Sequence, residues 1–128
     1  MNTSRKQKTV SSSLWAAYGD VLGFPTELAS PSLVNQRLGI VRSQRSGAWS
    51  RLVGGRFGAQ VDLCVGAYSD DTQLRLATSR SIGSNSFFDV ESFAKIELPV
   101  WLSYSLGAGR GSKAAANSLS GQSSNWFS

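Results

Sequence analysis

The sequence predicts a mainly α-helical chain, and three observations support that expectation. Apolar residues recur at helical spacing between Leu14 and Leu22, as they do on the buried face of an amphipathic helix. Ser69-Asp70 and Asp89 each precede a run with helical periodicity, in the position that a helix N-cap takes. The alanine run 114–116 favours one more helix, because alanine has the highest helix propensity.

The first helix is expected to begin at one of the serines 11–13, since serine is a favoured N-cap. Gly23 should end it in a left-handed conformation, and Pro25 should prevent its continuation. Asp20 lies among small residues, where its carboxylate could either cap a neighbouring helix or orient a site. The residues expected on the buried face of this helix are Leu14, Ala17, Tyr18, Val21 and Leu22.

Positive charge is concentrated in the first half of the chain. The net charge is +5, and the segment up to Gln60 holds eight Lys or Arg against two acids, Asp20 and Glu27. This balance favours either a polyanionic partner or an ordinary solvated surface with a basic tail. We expect residues 1–12 to form a flexible basic tail and residues 13–128 to belong to one domain.

The chain has no histidine and a single cysteine, Cys64. Ser-His-Asp and Cys-His hydrolase sites are therefore excluded within it, as are histidine-rich metal centres. We expect Cys64 to be a buried structural thiol, because it stands in the apolar run 61–65. Neither a signal peptide nor a membrane span is predicted, since the apolar block after the basic N-terminal residues is short and contains Asp20. Cytoplasmic residence is the expectation.

The middle stretch, from Pro31 to Gly66, is rich in glycine and arginine and is expected to be irregular. Trp49 and Phe57 are interleaved with arginines there. Such aromatic rings could stack on nucleic-acid bases, or they could be buried and hold a loop in place. A short hairpin through Val53 to Val65 is one alternative to an irregular chain there, without a convincing sequence signal.

The clearest local pattern is Ser69-Asp70-Asp71-Thr72, which leads into a helix expected to end near Gly83. Carboxylates in a first helical turn suit the helix dipole, so the pattern could be a cap. Two adjacent carboxylates with a hydroxyl also form a cluster of hard oxygen donors, which is the ligand type that magnesium prefers. The pattern alone allows both interpretations.

Two further segments complete the chain. A helix is expected from Asp89 towards Leu102, with a kink or a break at Pro99. The loop 107–113 holds three glycines with Arg110 and Lys113 ahead of the alanine run. Exposed amides at a helix start can bind an anion, although a plain turn is equally compatible. The order Gly-Ser-Lys excludes a P-loop.

Three segments, taken in order, carry a family resemblance. Gly19-Asp20-Val21-Leu22-Gly23-Phe24-Pro25-Thr26-Glu27 resembles the opening motif of the ADP-ribosylglycohydrolases, a Gly-Asp-x-x-Gly that ends a helix and leads into a glutamate. Ser69-Asp70-Asp71-Thr72 resembles their Thr/Ser-Asp-Asp-Thr metal motif. Residues 107–111 fall where family members carry a glycine-rich loop near the ADP-ribose.

The resemblance implies an all-α fold, with this chain as the N-terminal part of an orthogonal multi-helix domain around a cleft. It implies hydrolysis of the N- or O-glycosidic bond of an ADP-ribosyl group with magnesium, two ions in a complete domain. The substrate would be an ADP-ribosylated protein, nucleic acid or small molecule, and no membrane is involved. The implied metal ligands are Ser69, Asp70, Asp71 and Thr72, the catalytic residues Glu27, Asp70 and Asp71, and the phosphate-binding residues Gly109, Arg110 and Gly111.

One departure from the family pattern shapes the expectation for this chain. The second metal motif of the family, Asp-x-Asp-Thr, has no counterpart after Thr72, where the acids are Asp89, Glu91 and Glu97. We therefore expect these 128 residues alone to bind metal weakly and to hydrolyse little. Two other functions stay open, a non-catalytic module that binds ADP-ribose or a nucleotide, and a basic nucleic-acid-binding protein.

Overall fold

The computed structural model describes residues 3–42, 48–53, 57–83 and 86–122 of the chain. They fall into two compact units, Met1–Ser69 and Asp70–Ser128. Gly47, Gly54 and Gly55, which contributed to the expectation of an irregular stretch, lie outside the described residues.

The first unit begins with helix α1, Thr3–Gly23. The helix starts earlier than the expected serines 11–13, because Arg5, Lys6 and Lys8 are good helix formers and no glycine or proline separates them from the rest. It ends at Gly23 as predicted, but the left-handed cap is wrong. Gly23 has φ −79° and ψ −39°, right-handed values that lead into a 3-10 helix, Phe24–Thr26, with Pro25 in its first turn.

The apolar side of α1 differs from the expectation. Leu14 is 65% exposed, and Tyr18 and Leu22 are exposed as well. The expectation that these side chains form a buried face is therefore wrong for this chain.

Helix α2, Pro31–Arg42, was not anticipated. Its start has a recognisable signal, because Pro31 occupies the first helical position, where a proline loses no hydrogen bond. The Ser30 carbonyl accepts a 2.8 Å hydrogen bond from the N–H of Val34, which closes the first turn. The middle of the chain is therefore more regular than its glycine and arginine content indicates.

An antiparallel hairpin follows, formed by β1, Ala48–Val53, and β2, Ala59–Cys64. Trp49 pairs with Leu63 in its register, and both side chains are buried. Cys64, the next residue along β2, is exposed, since successive side chains of a strand point to opposite faces. The expectation of a buried thiol is therefore wrong.

The core of the first unit is built around two aromatic rings. Phe24 and Trp49 meet edge to face, with ring centroids 5.2 Å apart and planes at 85°. The Arg37 guanidinium lies 5.2 Å from the Trp49 ring, and its Nη1 and Nη2 donate to the carbonyls of Pro25 at 2.8 Å and Ser50 at 2.6 Å. This arginine thus joins α2 to the 3-10 helix and to the hairpin.

The second unit begins with helix α3, Asp70–Arg80, at the position predicted for it. The next helical stretch starts at Asp89, whose carboxylate accepts a 2.9 Å hydrogen bond from the N–H of Ser92. It comprises a helical turn α4, Val90–Ser92, a π-helical segment, Phe93–Glu97, and helix α5, Leu98–Tyr104. Pro99 lies in the first turn of α5.

The predicted break at Pro99 is confirmed, and it takes the form of a π turn. The N–H of Leu98 bonds to the carbonyl of Phe93, five residues back. A proline cannot donate to the carbonyl four residues before it, so regular α-helical bonding is interrupted at this point. The wider turn ends where the proline begins a new helix.

Helix α6, Arg110–Gly121, packs against α5 and completes the second unit. The core of this unit contains Trp101, fully buried, with Leu98 and Ala116. Partly buried apolar side chains surround these three: Leu74, Phe93, Leu102, Ala108 and Leu119.

The all-α class is confirmed, because helices dominate the described residues and the hairpin is the one sheet among them. In the described ranges, the search for a helix with the length and hydropathy of a membrane span finds none.

Candidate functional site

Part of the expected site lies in the first unit, at the end of the 3-10 helix. Glu27 follows that helix and is exposed. Its Oε2 accepts a 2.8 Å hydrogen bond from Nη1 of Arg51, in an ion pair between the 3-10 helix and β1. The Arg51 guanidinium also lies 4.7 Å from the Phe24 ring. Arg51 therefore holds Glu27 in place while being held itself by a buried aromatic side chain.

Asp20 contacts the first residue of the carboxylate motif, Ser69-Asp70-Asp71-Thr72. Its Oδ2 accepts a 3.0 Å hydrogen bond from the backbone N–H of Ser69, and the Ser69 side chain is buried. A charged acceptor makes this one of the stronger backbone hydrogen bonds. Because Ser69 directly precedes α3, the contact fits both roles considered for Asp20, capping a neighbouring helix and orienting a site.

The other part of the expected site is the first turn of α3, in the second unit. Asp70 and Asp71 lie in that turn, where negative charge is stabilised by the amino-terminal end of the helix dipole. Successive side chains of a helix project about 100° apart, so the three motif residues in this turn differ in environment. Asp70 is half-buried, Asp71 is exposed and Thr72 is buried.

Gln73 connects this turn to the glycine-rich loop. Its side chain is buried, and its Oε1 accepts a 3.2 Å hydrogen bond from the N–H of Leu106. Leu106 stands directly before Gly107, whose φ of +87° is a conformation that favours glycine. Sequence reasoning did not identify the role of Gln73, because its partner lies 33 residues along the chain.

The loop ends where α6 begins, close to the position predicted. Gly109 is the N-cap residue, with an extended backbone, and the carbonyl of Gly109 accepts from the N–H of Lys113 at 3.2 Å. Arg110 and Gly111 lie in the first turn of α6 and are exposed. Arg110 and Lys113 place two positive charges at the amino-terminal end of α6, where the helix dipole repels cations. A bound anion would offset that repulsion.

Within the second unit, Gln73, which follows the carboxylate motif, bonds to Leu106, which precedes the loop 107–111. Within the first unit the structure brings together Asp20 with Ser69, and Glu27 with Arg51. Among the described residues, no group of three or more His, Cys, Asp or Glu side chains has an arrangement suited to a metal ion.

The donors present fit part of a magnesium shell. Magnesium in proteins commonly keeps several water ligands and takes only one or two carboxylates. Asp70 and Asp71 can supply those two carboxylates, and Ser69 and Thr72 supply hydroxyls beside them. The chemistry of these donors is therefore compatible with the expected metal, as a partial shell.

Trp49 cannot serve as a base-stacking residue in this fold. Only 4% of its surface is exposed, and Phe24 and Arg37 lie against its ring. The ring is thus part of the core, in agreement with the alternative that these aromatic rings are buried and hold the chain in place. Phe57 is 95% exposed, but a single ring does not make the aromatic platform that nucleic-acid stacking requires.

Comparison with known proteins identifies a family. The sequence model of the ADP-ribosylglycohydrolase family matches residues 1–127. The chain is 32% identical over 89 residues to an ADP-ribosyl-(dinitrogen reductase) glycohydrolase of Rhodospirillum rubrum. That match covers 70% of this chain and 26% of the relative, so the matched region spans about a quarter of the relative's length. No solved structure matches the chain significantly.

Proposed function

The chain belongs to the ADP-ribosylglycohydrolase family, and from that premise we propose that it supplies part of an active site for magnesium-dependent hydrolysis of an ADP-ribosyl glycosidic bond. The observation that supports this most directly is the hydrogen bond from the N–H of Leu106 to Gln73. It links the first turn of α3, which bears two carboxylates, to the residue before the glycine-rich loop that leads into α6, where exposed amides would suit phosphate.

Each part of the proposed site has a role that its chemistry suggests. Ser69, Asp70, Asp71 and Thr72 would provide oxygen donors for magnesium, two ions in a complete domain. The metal, when bound, polarises ribose hydroxyls and water as a Lewis acid. The amides and charge of Gly109, Arg110 and Gly111 would bind the phosphates of the ADP-ribosyl group.

The carboxylates of the chain would serve the bond-breaking step. Loss of the leaving group develops positive charge on the ribose, and nearby carboxylates stabilise that charge. Asp70, Asp71 and Glu27 are the proposed catalytic carboxylates, and one of them would accept a proton from the attacking water. The ion pair with Arg51 fixes the direction from which Glu27 presents its carboxylate.

A fusion tests this function, because it restores the length of the relative. The 128-residue chain is joined to the residues of the Rhodospirillum relative that follow the matched region. ADP-ribosylated dinitrogen reductase, the substrate in that relative's name, is offered with magnesium, and release of ADP-ribose is measured. We expect turnover that falls at least about 100-fold in the double variant Asp70→Asn/Asp71→Asn, the scale of losing acid–base and electrostatic groups.

Asp62→Asn provides the matched control. Asp62 lies in β2 and accepts a 2.7 Å hydrogen bond from Oγ of Ser50, which asparagine can also accept. The same chemical change at this exposed strand position should leave turnover within about twofold, as most surface substitutions do. A folded fusion with no turnover, or equal losses in both variants, would contradict the proposal.

A non-catalytic ADP-ribose-binding module is the second candidate. It is favoured by the small number of metal-ligating side chains that the described residues bring together. Calorimetry of the chain with ADP-ribose, with and without magnesium, separates the two functions. A binding module takes up ADP-ribose equally in both conditions and releases none from an ADP-ribosylated protein.

A further inference from the structure

The short segment 24–27, which ends at Glu27, is connected to residues 49–51 of β1 at three successive points. The first connection is the edge-to-face contact between the rings of Phe24 and Trp49, which are 3% and 4% exposed. This contact lies in the core of the first unit. The segment therefore starts from a buried anchor, three residues before the carboxylate.

Arg37 makes the second connection, one residue further along each segment. Its Nη1 donates to the carbonyl of Pro25 at 2.8 Å, and its Nη2 donates to the carbonyl of Ser50 at 2.6 Å. Pro25 lies two residues before Glu27. Ser50 directly precedes Arg51. A single guanidinium thus fixes the spacing between the two backbones that carry the ion pair, because its donors are held in a rigid planar fork.

The Arg51–Glu27 ion pair is the third connection. Nη1 of Arg51 lies 2.8 Å from Oε2 of Glu27, and the Arg51 guanidinium lies 4.7 Å from the Phe24 ring. The Arg51 side chain is 15% exposed, whereas that of Glu27 is 50% exposed. The three connections therefore lead from the core to the surface, with the carboxylate at the exposed end.

Stability alone does not explain the use of two arginines at this place. An arginine that leaves water loses its hydration, and an ion pair with a half-exposed partner contributes little. Apolar side chains of similar size would hold two segments together at least as well. The arginines add direction, because a hydrogen bond depends on angle whereas apolar packing is non-directional. Reacting groups need that direction, since a misplacement of about 1 Å can slow catalysis about 100-fold.

We propose that Arg37 and Arg51 are positioning residues for Glu27. Arg37 sets the course of the backbone that carries Glu27. Arg51 holds Oε2, so that the carboxylate faces one direction. The inference rests on the proposed function, in which Glu27 is a catalytic carboxylate. Both arginines act through Glu27 and not on the substrate.

Side-chain motion of Glu27 in the 128-residue chain tests this geometry without an activity readout. NMR relaxation measures the order parameter of its Cγ–H bonds. We expect a value above about 0.6 in the unaltered chain and a lower value in Arg51→Gln, because a side chain without a fixed partner moves on the nanosecond timescale. An order parameter that is the same in both proteins overturns the proposal. Loss of the fold in Arg51→Gln also overturns it, because the residue would then act on stability.

Arg37→Gln tests the backbone connection. Glutamine has one short amide in place of the planar fork, so it cannot bridge the two carbonyls. The N–H of Glu27, which donates to the carbonyl of Phe24, should exchange with solvent at least about tenfold faster in this variant. Arg80→Gln is the matched control, since Arg80 pairs with Glu97 in the second unit, and it should leave that rate unchanged. Unaltered exchange in Arg37→Gln, or faster exchange throughout the chain, contradicts the role of Arg37.

Kinetics of the fusion described above test the link to catalysis. Arg51→Gln should lower kcat at least about tenfold with KM within about twofold, since it misplaces a catalytic group. Arg51→Lys, which keeps a cation opposite Glu27, should recover part of the loss. In the Glu27→Gln background, Arg51→Gln should change kcat by less than about twofold, because a positioning residue has no effect once its target is altered. Additive losses overturn the proposal.

The two proposals fail separately. An inactive fusion, together with a Glu27 side chain that is ordered only when Arg51 is present, removes the proposed function and retains the positioning of Glu27. An active fusion whose kcat is insensitive to Arg51→Gln retains the proposed function and removes the role of the arginines.

Discussion

Leu28 has a left-handed backbone, with φ +55°, directly after Glu27. This conformation costs an L-amino acid roughly 1–2 kcal/mol, and the side chain offers little in return because it is 95% exposed. We predict that Leu28→Gly raises the free energy of unfolding by about 0.5–1 kcal/mol, the relief of strain less the entropy that glycine loses on folding. Urea denaturation of the chain measures the change.

Leu52→Gly is the control for that prediction. Leu52 lies within β1, where glycine weakens a strand, so this variant should lower the free energy of unfolding by about 1 kcal/mol. Equal destabilisation by the two substitutions would show that the backbone at Leu28 is not strained.

Arg80 and Glu97 form a two-pronged ion pair between α3 and the π-helical segment. Nη2 and Nε of Arg80 donate to Oε2 of Glu97 at 2.6 and 2.8 Å, and Nε lies 3.0 Å from Oε1. Arg80 is half-exposed, so a double-mutant cycle with Arg80→Gln and Glu97→Gln should give a coupling energy of only about 0.5–1 kcal/mol. Thermal or urea unfolding of the four proteins provides the cycle.

The pH dependence of the Arg80–Glu97 coupling energy is set by the pKa of Arg80. The hydrogen bond to Glu97 raises the pKa of Arg80 above its ordinary value. A group whose pKa is raised by folding contributes its full stabilisation at pH values below its unfolded-state pKa. This stabilisation is lost only as the pH rises through the folded-state pKa. The coupling should therefore be constant between pH 7 and pH 10, and a decline within that range would contradict the assignment.

At the scale of whole elements, Lys95 stabilises the end of α6 from the neighbouring π-helical segment. Its Nζ donates to the carbonyl of Ser120 at 2.9 Å and also to that of Gln122. These carbonyls lie at the carboxyl-terminal end of the helix, where a cation is favourable. We predict that Lys95→Met lowers the free energy of unfolding by about 1 kcal/mol, measured by urea denaturation.

Lys113→Met is the matched control, because it removes the same charge from the other end of the same helix. Lys113 lies in the first turn of α6, where a cation opposes the dipole, so the variant should be neutral or slightly stabilising. Destabilisation of similar size in both variants would mean that the position on α6 does not matter.

The elements that could be predicted are those with a local signal. Asp89 before an apolar run indicated a helix start, and Pro99 indicated the break that became a π turn. The hairpin had no such signal, because its stability depends on Trp49 packing against Phe24 and beneath Arg37. Contacts between residues distant in sequence decided that element, and periodicity does not report them.

At the scale of the whole molecule, the candidate site also combines residues with a local sequence signal and residues that only long-range contacts identify. The carboxylate motif and the glycine-rich loop were found from sequence, since their residue types reflect their chemistry. Gln73 was not, because a glutamine is recognised as a connector only when its partner, the N–H of Leu106, is known. Arg51 was missed for the same reason, as its pairing with Glu27 spans 24 residues.

The small share of the relative covered by the match leads to a prediction for the chain alone. Catalysis of this kind requires carboxylates, phosphate-binding groups and a closed cleft to be held together. Among the described residues, no three His, Cys, Asp or Glu side chains are arranged to hold a metal ion, and the match covers 26% of the relative. We predict that the isolated chain releases ADP-ribose at less than about 1% of the rate of the fusion, because loss of electrostatic groups alone costs about 100-fold or more. Both proteins are assayed with the same ADP-ribosylated substrate and magnesium, and turnover by the isolated chain at a rate near that of the fusion would show that these 128 residues form a sufficient site.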